Sequence, residues 1–317
     1  MPDVPGLHHV TAFCDDPQDN YDFFTDVLGM RFVKETVRFD VPEKIYHLYY
    51  GDEVGTAGTI ITFFPMTNMP MEEGLVGKGM TSAVGLTIPE GSVDFWTNRF
   101  EDHDVDYDVE ERFDETAIAF EAPDGVPFEL VTGDSDIEAY TENDVPEEHG
   151  IRGMYNATVH SKDPAGTMDV LETLGWDRIG EATHPQAGDR IRYEAPGDAP
   201  CARKVDVLIR PNAPDGVMGI GTYLHIAFRV ANGWEQDQIS DELRANGYVT
   251  TSTKDRDYFH SRYITEPGGS VFEFATDGPG FGIDQDVEEY GEELKVPDWL
   301  DVDVERIKEM LPPLEKN

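Results

Sequence analysis

The sequence predicts an α+β fold of four βαβββ modules forming two curved-sheet domains, with modules 1 and 4 paired around one site. Three observations predict it. One order of elements, a strand, a helix and three more strands, recurs along the chain. Two histidines and a carboxylate, a set able to hold a metal, occupy equivalent places in the first and last copies. Aromatic residues are spread through all four copies, which argues for packed cores rather than disorder.

The first copy opens with Gly6-Leu7-His8-His9-Val10-Thr11-Ala12-Phe13, read as a strand. Asp15-Asp16-Pro17 follows as a helix cap with proline in the first turn. Tyr21, Phe24, Val27 and Leu28 recur at helical spacing, and Gly29 ends the helix. Met30–Val33, Ile45–Tyr50 and Thr59–Phe64 then read as strands. The second copy is weaker, with a strand at Ser82–Ile88, a helix near Val93–Phe100 and a last strand at Pro127–Val131. The third begins at Met154–Val159. Its cap is Lys162-Asp163-Pro164, its helix runs to Leu174-Gly175-Trp176, and its last strand is Val205–Ile209. The fourth begins Gly221-Thr222-Tyr223-Leu224-His225-Ile226-Ala227-Phe228, with a helix over Glu235–Asn246 and a final strand at Ser270–Ala275.

The module boundaries fall at about 5–66, 79–133, 150–210 and 219–277. Acidic, loop-like residues around Asp134–Gly150 divide a half at 1–135 from one at 150–278. Residues 279–317 form an extension with a helix near Val302–Met310.

Equivalent places can be compared across the modules. The first-strand slot holds His9, then Ser82 or Ala83, then Asn156, then His225. The last-strand slot holds Thr62 or Phe63, then Glu129, then Val207 or Leu208, then Glu273. Modules 1 and 4 together supply two imidazoles and a carboxylate, whereas modules 2 and 3 supply Glu129 and an amide. A lone strand histidine is usually a hydrogen-bonded core residue. Glu273 is stranger, because strand alternation points it away from Phe272 and Phe274. His9, His225 and Glu273 therefore read as metal ligands, which requires the ends of the chain to meet. Two imidazoles and one carboxylate leave open positions, as in non-haem Fe(II) sites that handle O₂, and Mn(II) suits the same set.

Charge narrows the setting. Asp+Glu number 65 against 24 Lys+Arg, a formal net charge of −41. Self-repulsion of that size destabilises a compact state until salt screens it, so the composition reads as adaptation to a salty cytoplasm rather than generic acidity. No basic stripe exists to neutralise phosphates, which disfavours nucleic acid. No apolar run approaches membrane-spanning length, and the N-terminus lacks a charged-then-apolar signal. Two cysteines, Cys14 and Cys201, make neither a disulfide framework nor a zinc-finger spacing. The expectation is a cytoplasmic protein that binds neither nucleic acid nor membrane. Module pairing can be completed within one chain, and a homo-oligomer is compatible with it.

Several stretches carry a resemblance. They are Gly6-Leu7-His8-His9-Val10-Thr11, Tyr46-His47-Leu48-Tyr49-Tyr50-Gly51-Asp52, Gly58–Pro65, His225–Val230, Glu266-Pro267-Gly268-Gly269, and Phe272–Phe281. Over nearly its full length the chain resembles the vicinal-oxygen-chelate superfamily of glyoxalases and ring-cleaving dioxygenases. More narrowly, it is similar to the dioxygenases that open hydroquinones. The resemblance implies the vicinal-oxygen-chelate fold, with His9, His225 and Glu273 on metal-ligand positions. It places Arg256 and Tyr263 beside substrate and oxygen, and His8 and Thr11 beside the first ligand. Leu224 departs from it, since close relatives often carry a histidine there.

The implied activity is extradiol-type cleavage of a hydroquinone- or catechol-type diol, with Fe(II) or Mn(II) as cofactor and O₂ as co-substrate. In it Tyr263 would donate a hydrogen bond, Arg256 would stabilise developing negative charge, and His8 would be the acid–base residue. Each has a duller reading. Tyr263 can pack on its strand, Arg256 can make a surface ion pair, and His8 needs a bulge or strand end to share a face with His9. His47 can line the cleft or belong to the core, and His160 reads as a surface residue. Two rival functions remain open: a glyoxalase-type lyase or isomerase, and a non-catalytic aromatic- or drug-binding protein. The lyase usually draws a carboxylate from the last strand of both paired modules, and module 1 offers none.

Overall fold

The computed structural model describes residues 2–38, 44–184, 188–297, 299–300 and 302–316. Module 1 comprises β1 (Leu7–Cys14), α1 (Pro17–Asp22), β2 (Arg31–Val37), β3 (Tyr46–Gly51) and β4 (Ile60–Pro65). Module 2 comprises β5 (Met80–Ile88), α2 (Val93–Asp102), β6 (Tyr107–Arg112), β7 (Glu115–Ala122) and β8 (Val126–Thr132). Module 3 follows with β9 (Met154–His160), α3 (Pro164–Thr173), β10 (Asp177–His184), β11 (Gly188–Glu194) and β12 (Lys204–Ile209). Module 4 has β13 (Tyr223–Val230), α4 (Gly233–Ala245), β14 (Lys254–Asp255), β15 (Phe259–Thr265) and β16 (Val271–Pro279). A last helix, α5 (Val304–Met310), lies in the extension.

Local chemistry sets these elements. The Asp16 carboxylate accepts from the amides of Gln18 and Asp19 at 2.7 and 3.1 Å, with Pro17 in the first turn. After α1 the chain widens into a π-helical turn, Phe23–Val27. Gly29 then takes φ +66°, a region that disfavours a side chain, and a Cβ there would lie 2.6 Å from Val145 Cγ2. Asn232 caps α4 in the same way as Asp16, accepting from Trp234 and Glu235. The helices bury narrow apolar faces, Trp96 and Phe100 on α2, Val170 and Leu171 on α3, Ile239 and Leu243 on α4.

Among the described residues the strands form two eight-stranded sheets. One runs β14-β15-β16-β13-β1-β4-β3-β2 and joins modules 4 and 1; the other runs β10-β11-β12-β9-β5-β8-β7-β6 and joins modules 3 and 2. The pairing of first and fourth modules required by the slot comparison is therefore present, through the antiparallel β1–β13 ladder. Each sheet draws strands from both halves of the chain. One continuous core, including Phe24, Phe63, Phe128, Tyr223 and Phe228, lies under both sheets and their helices. The extension runs along β2, where the Lys295 amide donates to the Glu35 carbonyl and Tyr46 donates to the Pro312 carbonyl. It covers a strand edge that would otherwise stay open.

Candidate metal centre

β1 carries the first residues of the site. His9 and Thr11, two apart, share a face, and Thr11 pairs with His225 across the β1–β13 ladder. β16 lies parallel to β13, with Glu273 at the register of Ala227, while its neighbours Phe272 and Phe274 are buried in the core. Three donor atoms consequently converge. His9 Nε2 lies 3.3 Å from His225 Nε2 and 3.5 Å from Glu273 Oε2, and His225 Nε2 lies 2.7 Å from the same oxygen. All three residues are buried.

The arrangement fits a cation better than a hydrogen-bonded cluster. Glu273 Oε2 is buried beside both imidazole nitrogens without a hydrogen bond, which leaves its lone pairs for a cation. The other carboxylate oxygen accepts from Ser261 Oγ. His9 Nδ1 is 3.0 Å from His8 Nδ1, which leaves Nε2 as the atom that could hold a cation. Burial holds the His225 imidazole below its ordinary pKa, favouring the neutral form a ligand needs. Burial acts to raise the Glu273 carboxyl, and the two imidazoles outweigh it, holding the group well below the usual carboxylate range.

A cavity of about 200 Å³ opens beside these atoms, bounded by Val37, Phe64, Leu224, Phe259 and Val271 on apolar walls. Its polar lining includes Thr11, Arg38, His47, Tyr49, Arg256 and Tyr263. Since an apolar cavity of roughly 150 Å³ accommodates benzene, one substituted aromatic ring is a fitting guest. Arg256 Nε donates to the Tyr263 hydroxyl at 3.2 Å, and the Tyr263 ring stands edge-on to His225 at 5.7 Å. A hydrogen-bonded row runs from Tyr49 to His47 at 2.8 Å, to Thr62 at 3.1 Å, to Thr11 at 2.8 Å and to His225 at 2.8 Å.

The residues singled out in the sequence are thus brought together, with one difference. Thr11, His47, Arg256 and Tyr263 line the cavity, whereas His8 lies behind His9 against Phe259 and is absent from the lining. A register shift in the β1–β13 ladder between Leu7 and His9 turns His8 toward its neighbour. Arg38, Tyr49, Ser261 and Phe259 escaped the sequence reading. Tyr49 and Ser261 each lie two residues from a chosen one, His47 and Tyr263, so the period-two rule would have found them.

The second cleft is lined by ion pairs. Arg192 holds Asp206 through two bonds of 2.7 and 2.9 Å and reaches Glu115 at 2.6 Å, while Glu129 pairs with Arg112 and Arg190. Asn156 donates to Asp206 at 2.8 Å. On β12, Asp206 faces the second cleft at the register of Thr158, and Leu208, two residues on, lines the same cleft, whereas Val207 points into the core. His160, expected at the surface, is buried at the end of β9.

Known proteins share this architecture and sequence. A family model described as the Glyoxalase/Bleomycin resistance protein/Dioxygenase superfamily matches residues 6–130. The curated protein named "Putative ring-cleaving dioxygenase MhqO" from Bacillus subtilis (strain 168) is 38% identical over 312 residues, covering 98% of this chain and 96% of its own length. The chain belongs to the glyoxalase, bleomycin resistance and dioxygenase superfamily. Within this superfamily it is also 34% identical to a chlorohydroquinone/hydroquinone 1,2-dioxygenase of Sphingobium indicum, covering 98% of this chain and 97% of that one. A crystal structure of a "putative dioxygenase" from Bacillus subtilis superposes with a TM-score of 0.92 at 37% identity, covering 99% of both chains. Glyoxalase I from Zea mays reaches a TM-score of 0.63 at 12% identity, over 86% of this chain and 92% of that one, a likeness of fold alone.

Proposed function

We propose that this protein is a metal-dependent ring-cleaving dioxygenase acting with O₂ on a hydroquinone- or catechol-type aromatic diol. The observation that carries the reading is the convergence of His9, His225 and Glu273, with the orphaned Glu273 oxygen, onto a ring-sized cavity walled by Arg256 and Tyr263. The names of the full-length relatives support it. A divalent ion held by the three side chains, Fe(II) or Mn(II), supplies Lewis acidity toward a phenol and, as iron, redox access to O₂.

The chain's own groups do the rest. Phe64, Leu224 and Phe259 hold the ring and exclude water. Burial, and then the charge of Glu273, raises the Tyr263 phenol, so it keeps its proton at neutral pH. Its oxygen accepts from Arg256, and its own proton is available to a substrate or oxygen atom. Arg256 stays cationic and offsets negative charge developing on the ring-opened acid. Burial holds His47 neutral, and through Thr62 it orients Thr11 at the edge of the site. A cytoplasmic setting belongs to the same reading, supported by two buried, free cysteines and by the absence, among the described residues, of a helix able to cross a membrane.

The test is anaerobic loading with Fe(II) or Mn(II), followed by an oxygen-electrode screen of hydroquinones and catechols in high salt. Oxygen uptake matching diol loss is expected. His225→Ala should keep its far-UV circular dichroism and lose both bound metal and uptake. Turnover of a thiol adduct without oxygen uptake would favour the lyase, and unchanged metal retention in His225→Ala would reject the ligand set.

A further inference from the structure

Arg256 sits on a turn at one edge of the curved sheet, just after β14. Asp257 in that turn takes φ +69°, a left-handed conformation open to aspartate, and its amide donates to the Asp255 carboxylate at 2.8 Å. Arg256 and Tyr258 are tied by the Tyr258 amide to the Arg256 carbonyl at 2.9 Å, and the Arg256 amide reaches Phe259 at 2.9 Å. What holds Tyr258 comes from elsewhere. Its ring is buried and packs 5.0 Å from Phe281, and its hydroxyl donates to Asp284 at 2.9 Å. The other oxygen of Asp284 accepts from Lys34 at 2.7 Å.

Lys34 lies on β2, the opposite edge of the same sheet. Its side chain is wholly buried. Its ammonium meets three acceptors, Asp284 and Gln285 at 2.7 Å and the Phe281 carbonyl at 3.3 Å, which matches its three protons. The Tyr258 and Tyr290 rings each stand 5.1 Å from it. Burying a lysine is costly unless the group is paired. Here the pairing spans the open side of the sheet, so the two edges are joined through the segment that follows module 4.

We propose that Lys34, Asp284 and Tyr258 are positioning residues that hold the Arg256 guanidinium against Tyr263, so that the extension braces the wall of the site from behind. None of the three lines the cavity, so they act through Arg256 rather than on substrate. The proposal rests on the diol-cleaving reading for its kinetic arm and on geometry alone for its structural arm.

The structural arm is hydrogen exchange on full-length protein. Lys34→Met should raise exchange across residues 254–259 at least about tenfold and leave the β1 and β13 amides unchanged; unaltered exchange over 254–259 would overturn the clamp. Tyr258→Phe, which keeps the ring and removes one hydrogen bond, should show the same pattern more weakly should Lys34→Met fold poorly. The kinetic arm uses Fe(II)-loaded protein and hydroquinone. Lys34→Met should lower kcat/KM roughly 10- to 100-fold, as expected for a misplaced group, with metal content unchanged and Lys34→Arg partly restoring activity. In an Arg256→Ala background the same substitution should cost under about twofold. Equal losses in both backgrounds would overturn the proposal. If wild-type protein consumes no oxygen with any diol, the diol-cleaving reading falls, and the exchange result alone decides the clamp.

Discussion

His8 and His9 are chain neighbours whose Nδ1 atoms lie 3.0 Å apart, a contact that a regular strand forbids. The register shift beside His8 permits it, and the result is a second imidazole packed behind the ligand face. Burial, with the like charge of His9 adding to it, lowers the His8 pKa to about 3. An unfolded histidine titrates near 6.5. Because the folded value is depressed, the unfolded chain binds the extra proton first, and stability is lost as pH falls from about 6.5 toward about 3. Metal-free protein should therefore lose about 1.4 kcal/mol through this one residue between about pH 7.5 and 5.5. Urea titrations of wild type and His8→Gln would check it; an identical pH slope in both would remove His8 as the cause. At this scale the three converging donors were legible because imidazole and carboxylate recur in matching slots. The acid–base role assigned to His8 was not legible as geometry, because a bulge leaves no mark in residue type.

At the scale of elements, module order could be read from periodicity and caps, since Asp16-Pro17, Asp163-Pro164 and Asn232 all stand where helices begin. Register could not. Asp206 looks like a solvent-facing polar residue between Val205 and Val207, and only the β9–β12 pairing to Thr158 shows that it faces the second cleft. There Arg192, Glu115 and Asp206 interlock in the region equivalent to the metal centre, so the two clefts solve one problem differently. In the β1–β13 cleft, buried donors converge on a point suited to an ion. In the β5–β9 cleft, guanidinium groups take that place. Removing one partner strands the other without water. Asp206→Asn should destabilise the protein by about 3–5 kcal/mol, read as a shift in urea midpoint, while bound metal per folded molecule stays at the wild-type level. A midpoint within error of wild type would mean that the cleft is wetter than its burial implies.

The whole molecule carries 65 acidic and 24 basic side chains, so the bases could neutralise at most 24 carboxylates even if every one were paired. Several cations are committed inside with their own acids, among them Arg112, Arg190, Arg192 and Lys34, so these pairs do nothing to offset the excess of acids elsewhere. The fold therefore works against a repulsion that no local contact relieves. Screening relieves it, because the Debye length drops from about 10 Å at 0.1 M salt to about 3 Å at 1 M. Each kcal/mol regained moves the thermal midpoint of a domain-sized chain by about 2–4 °C. Relief of even about 3 kcal/mol would thus raise it by roughly 6–12 °C between 0.1 M and 2 M KCl. The interior ion pairs are shielded from solvent ions, so Asp206→Asn should keep the same salt increment as wild type. Thermal scans in KCl and in NaCl would read it. A flat midpoint would show that the acidic surface does not strain the fold, and a rise in one salt alone would point to specific ion binding instead of screening.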